Sequence, residues 1–293
     1  MKELIINADD LGATPGINKG IIEGYQAGII TNVSLLVNMP GYNDAIRLIH
    51  QNPKLSVGIH LNITCGLPIS SPDKISTLLN EKGYFLKWYP LVNRLLLKRI
   101  DLNQIYLEFK AQIEKLISDG ITPIHMDTHQ YMHVYPEIFK ILIALSKEYN
   151  IYKIRYPDER FKFINSFSFS FFNKQNFKKI LLSLLLSFLL RICTPRKILI
   201  KNGILIPNNF IGIVNMNSQK TLLSFENMLQ SVKEGVNEIV CHPGYIDDEL
   251  IKLTPYIIYV HPRKDELEAI LHPKIKKLIE ELNINLISYK EMM

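Results

Sequence analysis

LIINADDLGATPG (residues 4–16) is the stretch of sequence that decides the fold. Its apolar run is typical of a buried strand, and the run ends in two adjacent acids. Gly12 and the pair Pro15-Gly16 then predict an immediate turn, and an amphipathic pattern predicts a helix over residues 16–27. A strand with a polar end, followed by a returning helix, is the repeating unit of a parallel sheet. This segment therefore predicts an α/β protein.

The alternation of strand and helix continues along the chain. Further strands are predicted at 33–38, 55–61, 122–129, 151–156, 237–244 and 284–289, and further helices at 42–51, 101–118, 136–149 and 219–233. About seven such units favour a β/α barrel over an open sheet. We expect a single domain over residues 1–293, with an irregular excursion at 62–100 and an apolar, basic insertion at about 157–210.

Composition narrows the class of protein. The 293 residues are 47% apolar and 21% charged, which is ordinary for a globular protein. The three cysteines form no C-x-x-C pair, which argues against a disulfide framework and against a thiolate zinc site. The N-terminal residues lack the pattern of a signal peptide, so we expect a cytoplasmic protein.

The net charge of +6 is concentrated in the insertion. Residues 157–202 carry nine Lys and Arg against two acids, whereas the remaining residues carry 25 against 26, so we predict no nucleic-acid partner. Lys178 and Lys179 precede a Leu-rich run that is too short to span a bilayer. This pattern favours peripheral contact of residues 161–200 with a membrane surface. The alternative is a helical subdomain that covers the barrel mouth or forms a dimer interface.

Polar side chains stand where the predicted strands end. In parallel α/β folds the carboxyl ends of the strands gather the active site at one edge of the sheet. Four predicted strands deliver His or Asp at that edge, and a fifth carries an arginine. The candidate site residues are Asp9, Asp10, His60, His125, Asp127, His129, His133, Arg155 and His242.

The adjacent acids Asp9 and Asp10 can serve one site only if the strand ends there. Neighbouring side chains of a strand face opposite sides of the sheet, whereas the turn predicted at Gly12 lets both carboxylates reach the same place. One carboxylate can then bind a metal ion while the other acts as a base. An acid pair that caps the next helix is the alternative. The acids and histidines at the other strand ends favour the functional interpretation.

HMDTHQYMH (125–133) contains histidines at two different spacings. Strand periodicity places His125, Asp127 and His129 on one face, whereas His129 and His133 have the i, i+4 spacing of a helix. The backbone must change geometry near His129, so these residues cannot all bind one ion. We expect supporting or capping roles for His125 and His133. One carboxylate and two imidazoles suit a divalent ion with open positions for water and substrate.

His242 lies in CHPG (241–244), where proline and glycine force a turn after the strand. A histidine at this place is suited to donate a proton to a leaving group. A turn histidine without a chemical role is the alternative. The sequence contains no Gly-x-Ser-x-Gly elbow and no Walker-type loop, which disfavours serine-hydrolase and P-loop chemistry.

Four of these motifs together resemble one known family. NADDLG (7–12), GIHLN (58–62), HMDTHQYMH (125–133) and CHPGY (241–245) are similar to the YdjC-like carbohydrate deacetylases, in the same order and over nearly the whole chain. That family includes chitooligosaccharide deacetylases and the hopanoid-biosynthesis-associated HpnK proteins. KNGILIPNNFIGI (201–213) resembles the HpnK branch more closely, whereas the basic insertion is larger than in the compact chitooligosaccharide enzymes.

The resemblance implies a fold, a cofactor and a reaction. It implies a NodB-like, deformed β/α barrel of the glycoside hydrolase/deacetylase type, which removes the N-acetyl group from an acetylated amino sugar as a homodimer. A divalent ion, Mg²⁺ or Zn²⁺, would be bound by Asp10, His60 and His129. Asp9 would be the general base, and His242 the proton donor or oxyanion stabiliser. We further expect contact with the substrate, or orientation of the base, from Arg155, His125, Asp127 and His133.

Two other functions compete with this interpretation. One is a metal-dependent phosphoesterase on a similar barrel, whose first strand commonly carries a His-x-His pair where this chain has Asp-Asp. The other is a non-catalytic protein that binds glycans or lipids, which the complete set of acids and histidines disfavours. If residues 161–200 contact a membrane, the substrate would be a lipid-linked amino sugar at the inner membrane face.

Overall fold

The computed structural model describes residues 1–159, 187–188, 190–212, 222–253 and 262–293. The strands are β1 (Lys2–Leu11), β2 (Asn32–Leu35), β3 (Ser56–Leu61), β4 (Met126–Thr128), β5 (Asn209–Ile211), β6 (Gly235–Cys241) and β7 (Ile284–Leu286). The helices are α1 (Pro15–Gln26), α2 (Tyr42–Gln51), α3 (Trp88–Leu96), α4 (Leu102–Ser118), α5 (Pro136–Tyr149), α6 (Arg196–Lys201), α7 (Leu222–Gln230), α8 (Asp248–Leu253), α9 (Arg263–Leu271) and α10 (Pro273–Glu281). Short 3₁₀ helices occupy Pro72–Leu78 and His129–Val134.

The strands form one parallel sheet that curves into a ring. The hydrogen-bonded order is β4-β3-β2-β1-β6-β5, and β7 pairs with the beginning of β1. Single bridges join Met126 to Ile154 and Lys153 to Leu205, and the segment that contains Leu205 leads directly into β5. From β4 the pairing therefore continues through these two segments to β5, which pairs with β6, so the sheet closes. The predicted fold class, α/β with a deformed β/α barrel, is confirmed.

β1 crosses the centre of this sheet and carries a bulge at the two acids. The register with β2 shifts between Ala8 and Leu11, and Asp10 has a φ of 69°. Gly12 has a φ of 89°, and a β-carbon there would lie 2.4 Å from the carbonyl oxygen of Leu36. The strand continues past the acids instead of ending at them, and the bulge turns both carboxylates toward one edge.

Four predicted strands are clearly shorter than expected: those at 33–38 and 284–289 narrow to β2 and β7, and two others change more. The strand predicted at 122–129 narrows to β4, and the 3₁₀ helix that follows it accounts for the change of geometry expected near His129. The strand predicted at 151–156 contributes only the isolated bridges. Pro207 lies two residues beyond the bridged Leu205 and has no N–H to donate, so the ladder ends there.

The ring encloses polar side chains rather than an apolar core. The following are fully buried and contact one another from the strands and from the segments next to them: Asn7, Asn32, Ser34, His125, Asp127, Arg155, Glu238 and Tyr289. Buried polar groups are costly unless they are hydrogen-bonded, so this network is held in a defined arrangement. It lies directly beneath the strand ends that carry the predicted site.

About half of the predicted insertion at 157–210 lies outside the described residues. Residues 160–186 and 189 are not described, and they include most of the segment 161–200 that we expect to contact a membrane. Among the helices that are described, none is long and apolar enough to cross a bilayer. The single-domain organisation and the role of the insertion stay predictions.

Candidate active site

Five predicted residues meet in one buried cluster at the carboxyl ends of the strands. β1 supplies Asp9 and Asp10, β3 supplies His60, the 3₁₀ helix after β4 begins with His129, and His242 follows β6. The exposed fractions of these residues lie between 2% and 7%. The ring of parallel strands therefore brings together all the residues predicted as ligands, base and acid.

Asp10, His60 and His129 form a triangle of potential ligand atoms. Asp10 Oδ1 lies 3.3 Å from His129 Nδ1 and 3.7 Å from His60 Nε2, and the two nitrogens are 3.4 Å apart. Ligands about 2.1 Å from a divalent ion at near-tetrahedral angles are spaced by about 3.4 Å, which matches this triangle. Asp10 Oδ1 is also buried without a hydrogen-bond partner among the described residues. The donor set fits a divalent ion.

Two of the three candidate ligands, Asp10 and His60, are held in orientation by a hydrogen bond to a further buried residue. Arg263 Nη2 donates to Asp10 Oδ2 at 2.6 Å, which leaves Oδ1 facing the histidines. Burial opposes ionisation of Asp10, but the guanidinium of Arg263 holds the pKa of this carboxyl well below its usual value. Asp127 Oδ1 accepts from His60 Nδ1 at 2.6 Å, so His60 Nε2 is the atom that faces the cluster.

The charge of His60 depends on the carboxylates around it. Burial alone would lower its pKa, but Asp127 and Asp9 raise the pKa of the imidazole to about 9. The carboxylates around this ring therefore favour a positive charge near His60 Nε2. A bound divalent ion would take the place of the second proton of this ring.

Asp9 is held as a fixed carboxylate beside the triangle. Arg155 binds it in a bidentate manner, with both nitrogen–oxygen distances 2.7 Å, and Asn7 Nδ2 donates to Asp9 Oδ1 at 2.7 Å. Asp9 Oδ2 lies 3.9 Å from His60 Nε2 and 3.9 Å from His242 Nε2. This oxygen thus faces both a predicted ligand histidine and the predicted proton donor.

Arg155 connects three acids of the interior. Besides Asp9, it contacts Asp127 Oδ2 through Nη1 at 2.9 Å and donates from Nε to Glu238 Oε1 at 2.8 Å. Burial opposes its charge, but these carboxylates raise the pKa of the guanidinium well above its usual value. Asp9, His60 and Asp127 form a second group with ligand-like spacing. Because Arg155 already neutralises two of its carboxylates, this group is poorly suited to a second metal ion.

The backbone is strained on both sides of the triangle. Asp10 has positive φ, and so do Gln130 and Tyr131, which follow His129 with φ values of 55° and 54°. Non-glycine residues in this region cost about 1–3 kcal/mol each and persist only where the surroundings impose them. The strain supports a functional role for both segments.

The remaining predicted residues lie beneath the cluster. His125, Asp127, His133 and Arg155 are fully buried. His133 Nδ1 pairs with Thr128 Oγ1 at 2.6 Å, and burial lowers the pKa of His133 to about 3, which keeps the ring neutral. These positions favour support of the site over contact with a substrate, and the predicted substrate contact of all four stays a prediction.

Several supporting residues were not predicted from the sequence. Arg263 and Glu266 come from the first turn of α9, and Glu266 Oε2 accepts from the backbone N–H of His242 at 2.7 Å. Glu238 and Tyr289 belong to the enclosed network. The only sequence signal for this group was the carboxylate of Glu238 within the apolar run of β6, since charged residues on a helix normally indicate a solvent-exposed face.

A parallel barrel with a buried Asp-His-His cluster beside a further aspartate and histidine is compatible with a hydrolase whose site can hold a divalent ion. This chain belongs to the YdjC-like protein family, which matches residues 3–281. The predicted family is thereby confirmed. Its chitooligosaccharide and HpnK branches are not distinguished by the match, so the branch stays a prediction.

Full-length relatives carry a consistent name. A carbohydrate deacetylase from Thermoanaerobacter pseudethanolicus is 32% identical over 292 residues, which covers 99% of this chain and 98% of the relative. A carbohydrate deacetylase from Clostridium beijerinckii is 33% identical over 296 residues and is covered to 99%, as is this chain. The predicted enzyme class, a deacetylase and therefore a hydrolase, is confirmed.

A solved structure is similar over the same length. It is the crystal structure, at 1.70 Å resolution, of a provisionally named cellobiose-phosphate cleavage protein from Enterococcus faecalis V583. It matches with a TM-score of 0.73 and 27% identity, and the match covers 99% of this chain and 98% of that protein. The fold of the described residues is therefore similar to that of the Enterococcus faecalis protein.

Proposed function

We propose that this protein is a carbohydrate deacetylase that removes the N-acetyl group from an acetylated amino sugar. The observation that carries the proposal is the position of Asp9 Oδ2, 3.9 Å from both His60 Nε2 and His242 Nε2. A base, a ligand histidine and a proton donor thus surround one point. The names of the full-length relatives support a carbohydrate as the substrate class.

The residues of the site divide the reaction between them. A divalent ion, Mg²⁺ or Zn²⁺, held by Asp10, His60 and His129 would acidify a water molecule and polarise the acetyl carbonyl. Asp9 Oδ2 accepts a proton from the attacking water, and the clamp of Arg155 fixes the direction of that oxygen. Arg263 keeps Asp10 ionised and oriented.

Breakdown of the tetrahedral species requires a proton for the leaving group. His242 Nε2 lies 3.9 Å from Asp9 Oδ2, as His60 Nε2 does, and a protonated imidazole at this place would be suited to protonate the departing amine nitrogen. Glu266 anchors the backbone of His242. The water oxygen forms the new bond to the acyl carbon, the C–N bond breaks, and the products are acetate and the free amino sugar.

The test of this proposal is acetate release. We expect the metal-loaded protein to liberate acetate and an equal amount of primary amine from at least one member of a panel of N-acetylated mono- and oligosaccharides. Chelation of the metal should abolish the release, and re-addition should restore it. Phosphate release from sugar phosphates by the same preparation, without acetate release from any N-acetyl sugar, would favour the phosphoesterase alternative instead.

The basic insertion supports a finer proposal about the substrate. Nine Lys and Arg against two acids over residues 157–202 would attract this part of the protein to an anionic bilayer. We therefore expect cosedimentation with anionic vesicles at low salt and loss of binding at high salt, because salt screens the attraction. Failure to bind anionic vesicles at low salt would remove the peripheral contact of 161–200 and with it the lipid-linked substrate.

The homodimer rests on the family resemblance alone, and light scattering on the same protein tests it.

A further inference from the structure

The C-terminal residues enter the barrel interior directly beneath the site. After β7, Ile287 N donates to Leu4 O at 3.0 Å, and Lys153 Nζ donates to the carbonyl of Tyr289. The side chain of Tyr289 is fully buried. The family match ends at residue 281, so this tail lies beyond the part of the chain that the match describes.

An unbroken series of short contacts runs from Tyr289 to the base. The hydroxyl of Tyr289 donates to Glu238 Oε2 at 2.8 Å, and Glu238 Oε1 accepts from Arg155 Nε at 2.8 Å. The two terminal nitrogens of Arg155 then hold the two oxygens of Asp9 at 2.7 Å. Tyr289, Glu238 and Arg155 are each 0% exposed, and Asp9 is 3% exposed, so solvent does not compete for these bonds.

The planar guanidinium of Arg155 couples the orientation of Glu238 to that of Asp9. Its nitrogens are coplanar, so the bond at Nε sets the plane in which the two terminal nitrogens reach Asp9. The carboxylate of Glu238 is in turn fixed by the hydroxyl of Tyr289, because its other oxygen is committed to Arg155. Without that hydroxyl, Glu238 Oε2 would lose this hydrogen bond in a fully buried site.

The ring of Tyr289 is fixed independently of its hydroxyl. It stacks on His125 with a centroid separation of 4.0 Å and an interplanar angle of 6°. His125 in turn packs on Gly58, where a β-carbon would lie 2.0 Å from the imidazole. Removal of the hydroxyl alone should therefore leave the aromatic ring in place. The effect of its hydrogen bond can then be measured separately from the effect of its packing.

We propose that Tyr289 is a positioning residue that acts through Glu238 and Arg155 to hold the Asp9 carboxylate in its reactive orientation. This inference rests on the proposed deacetylase reaction, in which Asp9 accepts the proton of water. The C-terminal tail is thereby part of the machinery that sets the base, although it touches neither substrate nor metal ligand.

The first test is Tyr289→Phe in the full-length, metal-loaded protein. We expect kcat for acetate release to fall by about 3- to 10-fold, which corresponds to the loss of one buried hydrogen bond. KM and the affinity for the metal ion should stay unchanged, because neither the substrate cleft nor the ligand triangle is altered. Tyr42→Phe is the matched control, since the hydroxyl of Tyr42 also binds a carboxylate, that of Asp119, away from the site. Its kcat should equal that of the wild type.

The second test is a double-mutant cycle with Glu238→Gln. If Tyr289 acts through Glu238, the double variant should have the same kcat as Glu238→Gln alone. The inference is overturned if Tyr289→Phe has the kcat of the Tyr42→Phe control, if KM changes while kcat does not, or if the two losses multiply. Should Tyr289→Phe melt below the assay temperature, an unchanged kcat in Glu238→Gln overturns it.

Failure of the inference and failure of the proposed function give different results. A wild-type protein that releases no acetate from any N-acetyl sugar removes the proposed function and this inference together. An active wild type with an equally active Tyr289→Phe variant removes only the role of Tyr289.

Discussion

An Asp9→Asn variant is expected to retain its metal ion and to lose kcat for acetate release by about 10²- to 10⁴-fold, the range typical of a general base. The amide has the shape of the carboxylate but cannot accept a proton at neutral pH. Its oxygen can accept from only one of the two Arg155 nitrogens, and its NH₂ group then faces the other nitrogen together with His60 and His242, where a proton acceptor is needed. The fold should survive, because Arg155 keeps Asp127 and Glu238 as partners.

Kinetics and metal content, measured on the same preparation, check this expectation. Asp119→Asn is the matched control, because it neutralises a carboxylate that binds Tyr42 outside the site, and its kcat should not change. Turnover of Asp9→Asn at the wild-type rate would show that Asp9 is not the base. Loss of metal together with activity would instead indicate that Asp9 is a ligand.

Substitution of His60 by alanine is expected to abolish metal binding. It removes one corner of the Asp10-His60-His129 triangle and leaves Asp127 Oδ1 without its imidazole partner. We expect the affinity to fall by more than about 100-fold, beyond the range typical for loss of a residue that only orients a ligand. Metal analysis after gel filtration should give one ion per chain for the wild type and none for the variant.

A thermal melt provides a second readout of the same site. A ligand that binds only the folded state raises its stability, so addition of the ion should raise the Tm of the wild type and leave that of His60→Ala unchanged. His50→Ala, at an exposed position of α2, is the control and should behave as the wild type. Full metal content in His60→Ala would show that the ligands are assigned wrongly. Two tightly bound ions in the wild type would favour phosphoryl chemistry.

The sequence was sufficient to predict the barrel and the residues at its strand ends. Polar residues that interrupt apolar strands have few structural reasons to be there, so Asp9, Asp10, His60 and His242 could be assigned to one edge before their distances were known. Gly12 indicated a departure from regular strand geometry, although the departure is a bulge within β1 and not its end. The short pairing at Lys153 could not be predicted, because it depends on a strand segment some fifty residues later.

The supporting residues lay beyond what sequence patterns reveal. Arg263 is one of several charged residues in α9, and no periodicity distinguishes it from its exposed neighbour Lys264. Its contact with Asp10 spans 253 positions of the chain. Tyr289 ends a predicted strand, but nothing in the sequence indicates that its side chain contacts Glu238 in the barrel interior. Pairwise contacts of this kind follow from tertiary packing and carry no local signal.

Neighbouring strands of the barrel are joined by unequal numbers of residue pairs, and this affects how firmly Asp9 is held. β1 and β6 are joined along seven consecutive residue pairs, whereas the wall near Lys153 and Ile154 is joined by single bridges. Because fewer residue pairs join this seam than join β1 to β6, we expect it to open locally at a lower free energy than that pairing. Arg155 is the next residue along the chain, so such an opening would withdraw its guanidinium from Asp9. The closed fraction of the seam would then set how often the Asp9 carboxylate is held in place.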